Sequence, residues 1–241
     1  MTEPEPLPDD FIPLSKLPHF DPREVPVAGS DSHLPAVAAS VLTPDALRAR
    51  FANPPHWEPE VRAEPRFTDR PPAHASVLVA IVTRARPTVL LTERTTHLST
   101  HSGQVAFAGG KRDDTDRDAA HTALREAQEE IGLGAAQIEV LGTLPTYTTG
   151  TRFIVTPVVA LVDPSHQLAL NEHEVADAFE VPLEFLMNPA HHRRHRIHAG
   201  GFDREWFSMP YMEGTTQRFI WGATAGMLRA LYFRLYGASL A

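Results

Sequence analysis

The chain has 241 residues, with 22 lysines and arginines against 30 aspartates and glutamates, and this acidic balance argues against a general nucleic-acid binder, which needs clustered positive charge. It contains no cysteine, which excludes disulfides, thiolate metal sites and a cysteine nucleophile. No stretch supplies the roughly 18 uninterrupted apolar residues of a membrane-spanning helix, and the acidic, proline-rich N-terminus lacks the pattern of a signal peptide, so we expect a cytoplasmic protein with no membrane partner.

The first third of the chain is rich in proline. Prolines concentrate between residues 4 and 72, and they predict a loop-rich N-terminal extension over residues 1–74, with one helix over residues 44–51. Two interpretations stay open. In one the extension packs on the domain or is partly mobile, and in the other it forms a homodimer contact or shapes the substrate site.

Regular structure is predicted to begin at residue 75, and residues 75–241 are expected to form one domain. Apolar, β-branched runs predict strands, and an apolar run near the C-terminus, interrupted by Arg229 and Arg234, predicts a core or interface helix. The strands are predicted at 77–82, 89–92, 138–144 and 153–162, and this helix at 223–236. Strands with one helix in their midst and another at the end indicate an α/β fold, a sheet packed between helices.

Between the second and third predicted strands lies a glycine turn. Gly109 and Gly110 follow Phe107, and adjacent glycines let a main-chain carbonyl or amide approach a metal or a phosphate closely. An acidic loop comes next, and a helix-favouring segment over residues 122–131 ends at Gly132, where a C-terminal cap is expected.

This helix carries three glutamates on one face. Glu126, Glu129 and Glu130 are spaced i, i+3 and i+4, which places them within an arc of about 100°. A hard divalent cation would remove their mutual repulsion, and Mg²⁺ or Mn²⁺ is usually held by a few carboxylates together with phosphate oxygens. The pattern therefore predicts a metal site that acts on a phosphate ester or anhydride. The alternative is a solvated acidic face, screened by Arg117 and Arg125.

Glycine turn, acidic loop and acidic helix together resemble the Nudix box, the signature of hydrolases that cleave a nucleoside diphosphate linked to another moiety. The family pattern is Gly, five residues, Glu, seven residues, then Arg-Glu-hydrophobic-x-Glu-Glu-x-Gly-hydrophobic. Gly110 matches the first glycine, Asp116 replaces the first Glu, the interval to Arg125 is one residue longer, and residues 125–133 match the rest. The resemblance implies a Nudix-type α/β/α sandwich, with a mixed sheet between helices, and Mg²⁺ or Mn²⁺ as cofactor.

The longer interval is similar to the coenzyme A pyrophosphatase branch of the family. In that branch Gly-Gly-x-x-Asp-x-x-Asp leads into Thr-Ala-Leu-Arg-Glu-Ala, and this chain has Asp113, Asp116 and then Thr122-Ala-Leu-Arg-Glu-Ala. The resemblance extends over residues 75 to 235.

The branch also has an upstream signature, and its frame is kept between residues 90 and 110. Thr95, Ser99 and Ala108 stand where the branch has Ser, Arg and Pro. Ser99 lacks the cation that an arginine would offer to a phosphate.

The resemblance implies a role for each residue of the box. Glu126 and Glu130 are metal ligands, and Glu129 is either a third ligand or the base that activates water. Arg125 orients a carboxylate by bidentate contact, and Gly110 offers its carbonyl to the cation.

Many Nudix enzymes complete the site with an acid from a distant loop. The candidates are Glu172, Glu174 and Glu180, and we choose Glu174 as a catalytic residue because Glu174-Val resembles the branch's pattern before Val181-Pro-Leu. The alternative is that Glu174 caps or solvates the start of this segment.

The segment 191–198 is the one basic cluster of the chain. It could receive the 3′-phosphate of coenzyme A, or form only a solvated hairpin edge. The predicted substrate-binding residues are Arg94, Gly103, Gln104, Gly109, Lys111, Arg193 and Arg194.

These features predict metal-dependent hydrolysis of coenzyme A or an acyl-coenzyme A to 3′,5′-ADP and (acyl-)4′-phosphopantetheine. One alternative is the same chemistry on ADP-ribose, a dinucleotide or another nucleoside diphosphate derivative. A second is a nucleotide-binding Nudix regulator without turnover, against which the complete set of glutamates argues.

Overall fold

The computed structural model describes residues 20–55, 57, 60, 71–95, 103–199 and 202–237. Ser99 and, within the predicted N-terminal extension, residues 1–19, 56, 58, 59 and 61–70 lie outside these ranges. Within them the elements are, in chain order, β1 (Val27–Ser30), α1 (Pro44–Ala52), β2 (Ala73–Val82), β3 (Thr88–Arg94), β4 (Val105–Ala106), β5 (Gly109–Lys111), α2 (Ala119–Ile131), β6 (Ile138–Thr143), β7 (Tyr147–Thr148), β8 (Phe153–Val162), β9 (Val175–Pro182), α3 (Leu183–Leu186), β10 (Arg193–Ala199), β11 (Phe202–Glu213), β12 (Thr216–Trp221) and α4 (Gly222–Tyr236).

The larger sheet is mixed. Its path runs β4-β3-β2-β8-β6, and β5, β7 and β9 pair with β2, β8 and β3 respectively. Strands β2 and β8 are parallel along their full length, from Ala73 opposite Phe153 to Val82 opposite Val162, whereas the other pairs are antiparallel. All four strands predicted from the sequence belong to this sheet.

Helix α2 covers one face of the larger sheet. Successive side chains of a strand point to opposite faces, and on β2 the even-numbered Leu78, Ala80 and Val82 share a buried cluster with Ala123 and Ala127 of α2. The strand therefore reads as a continuous apolar run because both of its faces are covered.

The opposite face of the same sheet packs against α1, α4 and a second sheet. Val79 and Ile81 of β2 lie in a buried cluster with Leu47 of α1, Met209 of β11 and Leu231 of α4. Helices therefore lie on both sides of a mixed sheet, which confirms the predicted α/β/α sandwich.

The second sheet, antiparallel in the order β1-β10-β11-β12, was not predicted from the sequence. Its strand β10 contains three arginines and two histidines, so it lacks the apolar alternation that identifies strands.

The described part of the N-terminal extension packs on the domain. Strand β1 pairs with β10, and Leu47 and Phe51 of α1 are buried in the larger core cluster. Helix α1 matches its predicted bounds within one residue, and the Thr43 hydroxyl accepts the Ala46 N–H at 3.3 Å to cap it.

Helix α2 begins at Ala119, three residues before the predicted start, because Asp118 caps it by accepting the His121 N–H at 2.8 Å. It ends as predicted at Gly132, which has φ 69°, a left-handed conformation that favours glycine. Among the described residues no helix combines the length and apolar character that crossing a bilayer requires.

Candidate metal centre

Helix α2 places two glutamates directly against the glycine turn. The Gly109 N–H donates to Glu130 Oε2 at 3.0 Å. A methyl group added at Gly110 would lie 2.5 Å from the carboxylate carbon and oxygens of Glu126, so only glycine permits this approach. Glu126 and Glu130, one helical turn apart, are thus both in contact with the main chain of β5.

Arg125 fastens the acidic loop to α2. Its Nε and Nη2 donate to the two oxygens of Asp116 at 3.1 and 2.9 Å, and Nη2 also donates to the Lys111 carbonyl at 3.1 Å. Asp116 is buried, and these hydrogen bonds from Arg125 hold the pKa of its carboxyl well below its usual range. Asp116 therefore stays ionised as the anchor of the loop, and the predicted bidentate contact of Arg125 is made with this residue.

Glu130 is the most deeply buried acid of the helix. Its side chain is 5% exposed, and burial raises its pKa to about 7. The Gly109 N–H and Arg94, whose Nη1 lies 3.8 Å from Glu130 Oε1, act in the opposite direction. The negative charges of Glu126 and Glu174 raise the pKa further.

The guanidinium of Arg125 bonds to both Glu126 and Glu129. Arg125 Nη1 donates to Glu126 Oε1 at 2.9 Å and to Glu129 Oε2 at 3.0 Å. Burial raises the pKa of Glu126 in spite of this bond, whereas the Glu129 side chain is 57% exposed and reaches solvent. The three glutamates of the predicted face therefore divide into two inner carboxylates and one outer carboxylate.

The loop before β9 brings Glu174 to the same centre. The Asn171 N–H donates to the Glu130 carbonyl at 2.9 Å, and the Thr95 N–H donates to the Glu174 carbonyl at 3.1 Å. The charge of Glu174 acts on both Glu126 and Glu130. Of the other two candidates, Glu180 is paired with Arg84 and Thr88, and Glu172 is exposed.

The donors at this centre suit a hard divalent cation. Mg²⁺ and Mn²⁺ favour oxygen ligands, and this centre brings carboxylate oxygens next to the main chain of two glycines. No three His, Cys, Asp or Glu side chains in the described part of the chain already converge as a metal cage. Glu126 is bonded to Arg125, and Glu130 is bonded to the Gly109 N–H.

Several predicted substrate-binding residues lie beside this centre. Arg94 exchanges main-chain hydrogen bonds with the segment that starts at Gly103, because the Gly103 N–H donates to its carbonyl and its own N–H donates to Gln104. Lys111 is exposed at the end of β5. Arg94, Gly103, Gln104, Gly109 and Lys111 are thus grouped around β3, β4 and β5.

The structure does not place the basic segment on the same sheet. Arg194 lies on β10 and binds Asp31 through Nε and Nη2, both at 2.9 Å, so its guanidinium is engaged within the fold. Arg193 is exposed on the same strand. Of the alternative, a solvated hairpin edge, the hairpin with β11 is present, but β10 is not an edge strand, because it lies between β1 and β11, and both His192 and His195 are buried.

Sequence reasoning missed Asn171, which links the Glu174 loop to the end of α2. Asn is frequent in turns because its side chain bonds to the main chain two residues on, and Asn171 Oδ1 accepts the His173 N–H at 3.2 Å. That local signal identifies a turn, but its contact with Glu130 depends on the fold.

A family model described as the NUDIX domain matches residues 72–199. A protein of Yersinia enterocolitica, described as an uncharacterised Nudix hydrolase NudL, is 43% identical over 158 residues, which cover 66% of this chain and 79% of that protein. A Shigella flexneri protein of the same description is 40% identical over 195 residues, covering 80% of this chain and 95% of the relative. Among solved structures, a Caenorhabditis elegans Ap4A hydrolase in a binary complex is 22% identical with a TM-score of 0.40, covering 49% of this chain and 85% of that one.

Proposed function

The chain belongs to the Nudix hydrolase family, and on this premise we propose that it hydrolyses the pyrophosphate bond of coenzyme A or an acyl-coenzyme A to 3′,5′-ADP and (acyl-)4′-phosphopantetheine. Nudix hydrolases generally use divalent metal ions, and we propose Mg²⁺ or Mn²⁺. The observation that carries the proposal is the pair of inner carboxylates, Glu126 and Glu130, held against the Gly109–Gly110 main chain at the position of the Nudix box.

Glu126, Glu130 and Glu174 would hold the metal, with the Gly110 carbonyl as a further oxygen donor. The chemistry supplied at this position by a divalent cation, when bound, is neutralisation of pyrophosphate charge and activation of water. Two of the three carboxylates are partly or largely buried and carry raised pKa values, with burial as the main cause. Like charges in such surroundings are stabilised by a cation, which supports the assignment.

The outer residues suit different roles. Arg125 binds Asp116 and Glu126 at once, so it orients the loop and one metal ligand without contacting the substrate. Glu129 reaches solvent and would accept the proton of the attacking water. Arg94, next to Glu130, would bind an anionic oxygen of the pyrophosphate.

Support for coenzyme A comes from the sequence of the acidic loop, which resembles that branch of the family. The Asp113 N–H donates to Asp116 Oδ2 at 2.9 Å, and the Asp116 N–H donates to the Asp113 carbonyl at 3.0 Å. The two aspartates of the branch pattern thus close one turn, which Arg125 then fastens to α2. The longer interval to Arg125 is accommodated in this turn while Glu126 keeps its place beside Gly110.

A substrate panel tests the proposal. Purified protein is incubated with Mg²⁺ or Mn²⁺ and coenzyme A, dephospho-coenzyme A, ADP-ribose or NADH, and the products are identified by mass. We expect coenzyme A to be split into 3′,5′-ADP and 4′-phosphopantetheine faster than the other compounds are cleaved.

Each other outcome would indicate a different function. Faster cleavage of ADP-ribose or NADH would mean that this compound, and not coenzyme A, is the preferred substrate of the same metal-dependent hydrolysis. Equal rates on coenzyme A and its dephospho form would remove any contact with the 3′-phosphate. Binding without turnover of any compound would indicate a nucleotide-binding regulator.

A further inference from the structure

We propose that Asn171 is a positioning residue that directs the Glu174 carboxylate toward Glu126 and Glu130. The inference rests on the metal site of the proposed function and is independent of which nucleotide is the substrate. It concerns a side chain outside the Nudix box, in the loop between β8 and β9.

The main chain of this loop is fixed to the end of α2. The Ala169 N–H donates to the Ile131 carbonyl, and the Asn171 N–H donates to the Glu130 carbonyl, both at 2.9 Å. The last carbonyls of a helix have no partner within the helix, so these two bonds satisfy groups that α2 leaves open. They also set Asn171 beside the residue that carries the inner carboxylate Glu130.

Asn171 then organises the turn that carries Glu174. Its carbonyl accepts the N–H groups of Glu174 and Val175, both at 2.9 Å, and its Oδ1 accepts the His173 N–H at 3.2 Å. With Oδ1 occupied by a donor, the amide Nδ2 is directed at Glu174 Oε1, 3.4 Å away. One residue thus bonds both to the backbone of the turn and to the Glu174 side chain.

Electrostatic repulsion opposes this orientation of the Glu174 carboxylate. Glu174 lies on the loop that is bonded to the C-terminal end of α2, and as a like charge its carboxylate repels those of Glu126 and Glu130. A glutamate of intermediate exposure would lower this repulsion by turning to solvent when no cation is bound. The Asn171 amide donor opposes that rotation, so we expect the Glu174 carboxylate to stay within reach of a cation bound by Glu126 and Glu130. Groups that orient ligands in this way usually change metal affinity when they are removed.

Three substitutions separate the two tasks of Asn171. Asn171→Asp keeps an Oδ1 acceptor for His173 but places a carboxylate oxygen against Glu174. Asn171→Ser keeps a short acceptor for the turn and replaces the amide donor by a shorter hydroxyl. His173→Ala is the matched control, because the turn uses only the main chain of this exposed residue.

The measurement is Mn²⁺ binding to metal-free protein without substrate, followed by the electron paramagnetic resonance signal of free Mn²⁺. We expect Asn171→Asp to weaken binding by roughly tenfold or more, Asn171→Ser to weaken it less, and His173→Ala to leave it unchanged. In a Glu174→Gln background, Asn171→Asp should cause no further loss, because the carboxylate that it repels is absent.

Either of two results would overturn the inference and leave the proposed function standing. One is a Mn²⁺ affinity of Asn171→Asp within twofold of the parent. The other is an equal loss of affinity from this substitution with and without Glu174→Gln, which would mean that Asn171 acts through the fold. If the parent protein does not bind Mn²⁺, the inference is wrong, and the proposed function is wrong as well if neither Mn²⁺ nor Mg²⁺ supports cleavage of any compound in the panel. If it binds Mn²⁺ as expected but does not cleave coenzyme A, only the substrate is wrong.

Discussion

At the scale of single residues, Glu130 is a buried carboxyl group whose ionised form is disfavoured in the metal-free protein. Burial raises its pKa to about 7 against an ordinary value of 4.5, although the Gly109 N–H and Arg94 favour the ionised form. Near neutral pH a proton would therefore compete with the proposed cation for this carboxylate.

This shift makes the stability of the metal-free protein depend on pH. The folded state binds the Glu130 proton more tightly than the unfolded chain does. The contribution of this proton to the free energy of unfolding is therefore fully present below pH 4.5 and is lost as the pH rises through about 7. Glu130→Gln keeps an acceptor for the Gly109 N–H and removes the charge. We expect it to raise the free energy of unfolding at pH 8 by up to about 3 kcal/mol in the presence of a chelator.

Urea unfolding at pH 5 and pH 8, with and without Mg²⁺, measures this effect. The gain from Glu130→Gln should be larger at pH 8 than at pH 5, and Mg²⁺ should stabilise the parent protein more than the variant. A variant less stable than the parent at pH 8 in chelator would show that Glu130 is not a strained buried charge.

At the scale of elements, the site depends on how closely β5 approaches α2. The two glycines of the turn meet different neighbours: a methyl group at Gly109 would lie 2.4 Å from the Ser76 carbonyl oxygen, and one at Gly110 would lie 2.5 Å from the Glu126 carboxylate. The first neighbour is main chain of β2 and cannot move without disturbing the sheet, whereas the second is the end of a flexible side chain.

The pair of substitutions should therefore separate stability from activity. Gly109→Ala is expected to lower the free energy of unfolding by about 2 kcal/mol. Gly110→Ala should unfold within about 0.5 kcal/mol of the parent but lose at least about tenfold in kcat, because it displaces a metal ligand. Urea unfolding and initial rates give both values, and an active Gly110→Ala enzyme would remove Glu126 from the site.

Helix α2 and its turn could be predicted because their determinants are local. The i, i+4 spacing of Glu126 and Glu130 and the cap at Gly132 follow from helix geometry alone. Glu174 is different, since its approach depends on bonds from Asn171 and Thr95 to residues distant in sequence. A single sequence indicates such an acid only through family resemblance.

The same limit applies to the second sheet, where strand β10 is stabilised by partners far along the chain. Arg194 pairs with Asp31 over 163 residues, and Arg218 of β12 bonds to Glu93 and Asp177 of the larger sheet. Its charged sequence predicts an exposed segment, because the compensating carboxylates become neighbours only in the folded protein.

At the scale of the whole molecule, a buried ionic cluster ties the N-terminal extension to the domain. Asp31 is 4% exposed and accepts Arg194 at 2.9 Å and Arg229 Nη2 at 2.6 Å, and Arg229 is 2% exposed. Arg229 also donates to His192 Nδ1 at 3.0 Å. The extension therefore contributes the central anion of a cluster that reaches β10 and α4.

Removing this anion should be costly. Asp31→Ala leaves Arg194 and Arg229 with the partly exposed Glu60 as their remaining carboxylate partner in the described part of the chain. We expect a loss of about 2 kcal/mol or more in the free energy of unfolding. The control is Glu205→Ala, which breaks the exposed pair with Arg196 and should cost less than about 1 kcal/mol. Equal losses for the two variants in urea unfolding would mean that the extension is not part of the cooperative fold.

The most direct test of the account is the rate of coenzyme A hydrolysis when one inner carboxylate is neutralised. With Mg²⁺ or Mn²⁺ present, Glu126→Gln and Glu130→Gln are each expected to lower kcat/KM at least about a hundredfold, roughly 3 kcal/mol of transition-state stabilisation, with the fold intact by circular dichroism. Glu172→Gln, an exposed acid from the Glu174 loop, should retain the parental rate. Near-parental rates in both inner variants would contradict the metal centre on which the whole account depends.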